Sequence, residues 1–234
     1  MTTGPDTYPP ELAVGVTGRR IAGVSAPARV VHKAILHGFA STGHAPEPAI
    51  LAAAMPADHD VGMLLAELHD HDVIRLDQRG RIRAAYPFSG VATVHTVTIA
   101  GGPRVYAMCA IDALGVADML DRDTTISSAD PTSGAQIRVE VRGGHATWMP
   151  GTAVVVVGSD TTAASPHGDC CPPDAAGVSA VAAADRCCGV MNFFASPDTA
   201  HAWMDGHPEV SGVVLSQEQA RRLGVDIFGH LLDD

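Results

Sequence analysis

The 234 residues suit one large domain or two small ones, and they are ample for a buried core. Fifteen Lys and Arg against 26 Asp and Glu leave a formal charge of −11, which argues against a nucleic-acid binder and its clustered cations. An apolar share of 46% excludes a disordered chain, and only 4% aromatics means a core of small aliphatics.

Residues 1–24 are rich in Pro, Gly and Thr, follow no sustained period and read as a mobile tail. They show no basic start followed by an apolar stretch, so no secretory signal is expected. From Pro27 the period becomes helical, with Val30, Val31, Ala34, Ile35 and Phe39 on one face and Gly43 as the stop. A second short helix is expected over 49–55, and a third over 58–71, capped by Asp58 or Asp60. Residues 73–76 and 81–83 flank a turn and read as a hairpin. Three helices and a hairpin over 25–88 describe a winged-helix-like module. Its third helix is acidic, which disfavours a DNA-binding regulator.

The remainder, 89–234, reads as a mixed β-sheet domain with flanking helices. Residues 91–99 alternate as a strand, 105–114 read as more helical, and 136–142 is an alternating strand with Ile137, Val139 and Val141 inward. The continuous apolar run over 152–157 suits a central strand. A long loop is expected over 158–185, then a strand at 190–194, a helix at 197–204, a strand at 213–215 and a closing helix at 217–223 capped by Ser216. Strands and helices mix without regular alternation, so the class is α+β. No apolar run approaches the roughly 20 residues of a membrane span, and a cytoplasmic protein without membrane association is expected.

Five cysteines punctuate this second part: Cys109 alone, then the adjacent pairs Cys170–Cys171 and Cys187–Cys188. The odd number and the adjacency do not suit a disulfide framework, and no pair has zinc-knuckle spacing. Reduced thiols are the expectation. Cys109 and Asp112 stand three apart in YAMCAID; on a helix, thiol and carboxyl then share a face and can act on one small ligand. A buried cysteine beside a capping aspartate is the plainer alternative. The second segment, CCGVMNFFAS over 187–196, follows Arg186, whose charge would lower a thiol's pKa. Two small buried residues at a strand edge would give the same letters.

Taken together, YAMCAID and CCGVMNFFAS resemble the organomercurial lyase (alkylmercury lyase) family, in order and separation, with agreeing flanks at 199–203 and in the last strand. The resemblance implies that Cys109 is the first catalytic cysteine, Asp112 the catalytic aspartate and Cys187 the second cysteine, with Cys188 its neighbour. These three would also be the metal ligands, with Cys188, Cys170 and Cys171 as further candidates. The family's structural cysteine after a Ser-Ser pair is missing here, where the chain reads Ser127-Ser128-Ala129-Asp130.

The chemistry this implies is protonolysis of a carbon–mercury bond. Two thiolates on mercury push electron density onto the carbon, and a neighbouring carboxyl delivers the proton. The products are a hydrocarbon and Hg(II) held between two sulfurs. No cofactor is required; the substrate is an organomercurial, and small external thiols or mercuric reductase would accept the Hg(II). A thiol protein that binds or senses a soft metal such as Hg(II) or Cu(I) without turnover is the alternative, and Asp112 is the feature that separates the two.

Overall fold

A computed structural model describes Tyr8 and residues 20–56, 59–162 and 187–233 of the chain. Residues 20–22 are helical, and the helix after them, α1 (Ala26–Thr42), is capped by Ser25, has a proline in its first turn and stops at Gly43, whose φ of 83° is the left-handed conformation that glycine adopts without strain. Its inward face is Ala28, Val31, His32, Ile35, Leu36, Phe39 and Ala40, whereas Val30 is 56% exposed. Next come α2 (Pro48–Ala54) and α3 (Val61–Asp70), and Asp60 is the residue that caps α3, accepting from Gly62 and Met63. Of the two capping candidates, Asp58 lies outside the described residues.

The hairpin forms as β1 (Ile74–Leu76) and β2 (Ile82–Ala85), but it does not stand apart as a wing. Through β3 (Phe88–Ser89) it joins β4 (Thr96–Ile99), β5 (Arg104–Ala107), β6 (Thr124–Ala129), β7 (Gln136–Arg142) and β8 (His145–Met149) in one eight-stranded sheet, ordered β1-β2-β3-β5-β4-β6-β7-β8. A second sheet has β9 (Val154–Asp160) between β10 (Asn192–Phe194) and β11 (Val210–Leu215). Every pairing among the described residues is antiparallel. Helices α4 (Ala110–Leu120), α5 (Pro197–Asp205) and α6 (Gln217–Phe228) complete the α+β fold.

Strand β9 shows why the run over 154–157 is apolar at every position. Val155 and Val157 enter the main core, while Val154 and Val156 enter a smaller one with Phe194 and Ala200 beneath α5. A strand covered on both faces has no polar side to show. Two expectations shift in detail. Only 96–99 of the alternating run 91–99 is strand, and Val91 and Val94 lie exposed, because the Thr93 side chain bonds the carbonyls of His95 and Ala107 and bends the backbone there. The stretch 105–114 divides into the end of β5 and the start of α4, with Cys109 at the junction.

Within the stretch read as a tail, the described residues are anchored. Tyr8 is buried and donates its hydroxyl to Asp226 at 2.7 Å. Val24 is buried, and Arg20 pairs with Asp72 at 2.8 Å. The reading of 158–185 as a loop holds neither for 158–160, which continue β9, nor can it be followed beyond residue 162, outside the described residues.

Candidate active site

Helix α4 begins at the end of β5, and Cys109 is its N-cap residue. An N-cap side chain must accept an N–H that the first turn leaves unpaired, work usually done by Ser, Thr, Asp or Asn. Here Cys109 Sγ accepts from the backbone N–H of Asp112 at 3.4 Å. The same sulfur donates its proton to Asp112 Oδ2 at 2.5 Å. Thiol and carboxyl are therefore locked together by the helix start itself, and both are buried, at 2% and 4% exposure.

The second motif is tied to that helix start by its backbone. Ala110 N–H donates to the carbonyl of Met191, and the N–H groups of Val190 and Met191 both donate to the Cys187 carbonyl, each at 3.0 Å. From below, Asp130 anchors the strand that follows: its Oδ2 accepts from Ala195 N–H at 2.8 Å while Oδ1 accepts from Thr132 and Ser133. Asp130, noted in the sequence only as part of a segment lacking a thiol, thus holds the second motif in register.

This turn presents Cys188, not Cys187, to the first motif. The ligand atoms of Cys109, Asp112 and Cys188 lie within 4.8 Å of one another, the one such group of potential metal ligands among the described residues. Cys187, expected as the second catalytic cysteine, is buried and disulfide-bonded, and offers no free thiol. That bond also corrects the expectation that all five cysteines are reduced; the free thiols among the described residues are Cys109 and Cys188. The physical reason is the tight turn at 187–190, where side chains of successive residues diverge and strand alternation gives no guide to which one points inward. Cys170, Cys171 and Arg186 lie outside the described residues.

Burial sets the protonation of the cluster. It pushes the Asp112 carboxyl up from 3.8 to about 7, against the pull of hydrogen bonds from Cys109 and the backbone. Burial likewise pushes the Cys109 thiol well above its usual range, and the hydrogen bond to Cys188 and the Asp112 charge add to it. The bond with Cys109 favours a Cys188 thiolate, but burial and the charges of Asp112 and Asp72 outweigh it and raise that thiol too. The resting site is thus a proton-rich group of two thiols and a carboxyl. Arg20 lies close enough to draw Asp112 downward, but its guanidinium is ion-paired to Asp72, which also accepts from Tyr86 at 3.3 Å. Sequence reading missed these three residues, which bring the N-terminal helices against the site; a buried Asp at a φ of 50° leaves no pattern in the letters.

Two sulfurs and a carboxyl at this separation are suited to one soft ion and one transferable proton. The family model for alkylmercury lyase matches residues 88–176 and 173–229, more than half of the chain. The chain belongs to the alkylmercury lyase family. It is 30% identical over 152 residues to the alkylmercury lyase of Bacillus cereus, covering 64% of this chain and 60% of that one. With the alkylmercury lyase of Streptomyces lividans it shares 30% identity over 160 residues, 67% of this chain and 63% of the relative. The match therefore spans less than two thirds of the length of these curated relatives. A solved structure described as the mercury-bound form of MerB2 superposes with a TM-score of 0.71 at 20% identity, over 96% of this chain and all of that one, and so shares its fold.

Proposed function

We propose that the protein is an organomercurial lyase, which breaks a carbon–mercury bond to release a hydrocarbon and Hg(II). The observation that carries this reading is the buried Cys109–Asp112–Cys188 cluster, with the Cys109 thiol already donating to the carboxyl. Cys109 and Cys188 are the two sulfur ligands, and Asp112 is the proton donor. One thiol displaces the substrate's own ligand from mercury, and its proton leaves with that ligand. The second thiol adds, and its proton passes to Asp112. With two thiolates on the metal, the carbon carries enough electron density to accept that proton, so the C–Hg bond breaks as the C–H bond forms. Hg(II) remains between the two sulfurs. No redox change occurs, and no cofactor takes part in these steps.

An Asp112 pKa of about 7 suits the role, because near neutral pH the group is both an acid able to donate and a base able to be recharged by a thiol. The Hg(II) product passes to small thiols or to mercuric reductase, and the cytoplasm, with its thiol pool, is the fitting compartment; no helix among the described residues is long and apolar enough to cross a membrane. The test is incubation with methylmercury or phenylmercury salts and excess thiol, followed by assay of methane or benzene and of protein-bound Hg(II). Hydrocarbon release is the expected result. Mercury uptake with no hydrocarbon would replace the lyase by a soft-metal binding protein on the same fold.

A further inference from the structure

A third sulfur borders the cluster. Met191 Sδ lies 4.0 Å from Cys109 Sγ, and Met191 is half-buried between the second motif and the start of α4. Its backbone is fully committed, the N–H to Cys187 and the carbonyl to Ala110, so the residue's position is fixed, and its side chain packs against the core beside Cys109. A thioether is neutral, polarisable and soft, and it prefers the same ions that thiolates prefer. Among the other groups at the site, Asp112 offers hard oxygen. Nothing in the packing requires sulfur at position 191, where a leucine would fill a similar volume.

We infer that the Met191 thioether is a third soft ligand to the Hg(II) product, completing a three-sulfur site with Cys109 and Cys188. The inference rests on the lyase reading, and it concerns what happens after the hydrocarbon leaves. Mercury loses its carbon ligand at that step and gains an open position. A neutral sulfur fills that position without adding charge to a buried site that already holds two thiolates. It slows the escape of a toxic ion until an external thiol attacks, and being a weaker donor than thiolate it yields to that attack. The organic substrate, still bonded to carbon, has less need of it, so Met191 distinguishes product from substrate.

The experiment uses the full chain and its Met191→Leu variant, which keeps the volume and removes the sulfur. Each is labelled with methionine carrying carbon-13 in the methyl group and loaded with one equivalent of mercuric chloride. X-ray absorption at the mercury edge should count three sulfurs in the wild type and two in the variant. The methyl signal absent from the variant's spectrum identifies Met191, and it should shift on loading the wild type. Release of Hg(II) to dithiothreitol should be about tenfold faster in the variant, in the range of supporting residues around metal sites. Two sulfurs in both proteins with an unmoved Met191 methyl would overturn the inference alone, provided phenylmercury is still cleaved. A wild type that neither cleaves phenylmercury nor takes up Hg(II) would instead overturn the lyase reading on which it rests.

Discussion

Cysteine at a helix N-cap carries two opposed influences. The helix dipole favours a thiolate there, whereas burial favours the neutral thiol, and at Cys109 burial prevails together with the adjacent Asp112. The proton is therefore stored at the site rather than lost to solvent, as the proposed protonation of carbon demands. Asp112→Asn keeps the shape and removes the transferable proton. That variant should bind phenylmercury normally and release benzene about 10²- to 10⁴-fold more slowly; cleavage near the wild-type rate would remove Asp112 from the role. The two adjacent cysteines separate just as sharply. Cys188→Ser replaces a soft ligand by a hard hydroxyl within 4.8 Å of Cys109 and Asp112, so Hg(II) retention under excess thiol should collapse. Cys187→Ser should retain cleavage, and a benzene assay on both variants decides between them. The letters CC mark this segment in the sequence, but which cysteine faces Asp112 depends on a turn whose geometry the letters do not encode. Asp112 is different: its distance from Cys109 is local, fixed by one helical turn, and therefore legible.

At the scale of elements, the position of α4 decides whether the cluster forms. Helix α6 crosses it at a point where both helices carry glycine. A Cβ on Gly115 would meet the Gly224 carbonyl at 2.7 Å and the Phe228 side chain at 2.6 Å, and one on Gly224 would meet Gly115 N and Ile111 O at 3.0 Å. Arg221 of α6 adds an ion pair to Asp118 and a hydrogen bond to the Leu114 carbonyl. Gly115→Ala should therefore push the helices apart, costing about 1–3 kcal/mol as overpacking does. Because α4 carries Cys109 and Asp112 at its first turn, cleavage should fall as well. A thermal melt beside the benzene assay checks both, and an unchanged melting temperature would show that the crossing has slack. The helix periods, the caps at Asp60 and Ser216, and the strand over 136–142 are local signals, and these are readable in the sequence. Pairing was not. The hairpin's continuation into the large sheet depends on β3, only two residues long, which is too short to show alternation.

Buried titratable groups tie the stability of the molecule to pH, and among them His32 and His95 pull against Asp112. His32 and His95 are buried, which lowers each pKa from 6.5 to about 4; His95 is held by Ser128 at 2.9 Å, while His32 Nε2 has no hydrogen-bond partner. For these two the unfolded chain binds more protons between pH 6.5 and 4, so their stabilising contribution is present above 6.5 and is lost as pH falls through 4. Each is on the order of 3 kcal/mol. Asp112 has the reverse sign. Its folded pKa of about 7 lies above the unfolded 3.8, so its contribution is complete below 3.8 and is lost as pH rises through 7. Urea unfolding at pH 8, 6 and 4.5 should thus show a wild type whose acid loss is partly offset. Asp112→Asn removes the offset: it should be more stable than the wild type at pH 8 and fall more steeply toward pH 4.5. His32→Leu removes one acid-sensitive group and an unpaired buried nitrogen, so it should be more stable by about 1–3 kcal/mol at pH 6 and flatter on the acid side. Changes in self-repulsion from the −11 charge act on all three proteins nearly alike and drop out of the comparison. A pH slope in Asp112→Asn equal to that of the wild type would mean that the carboxyl is not held protonated in the fold, and the proton store at the active site would have to lie on the thiols alone.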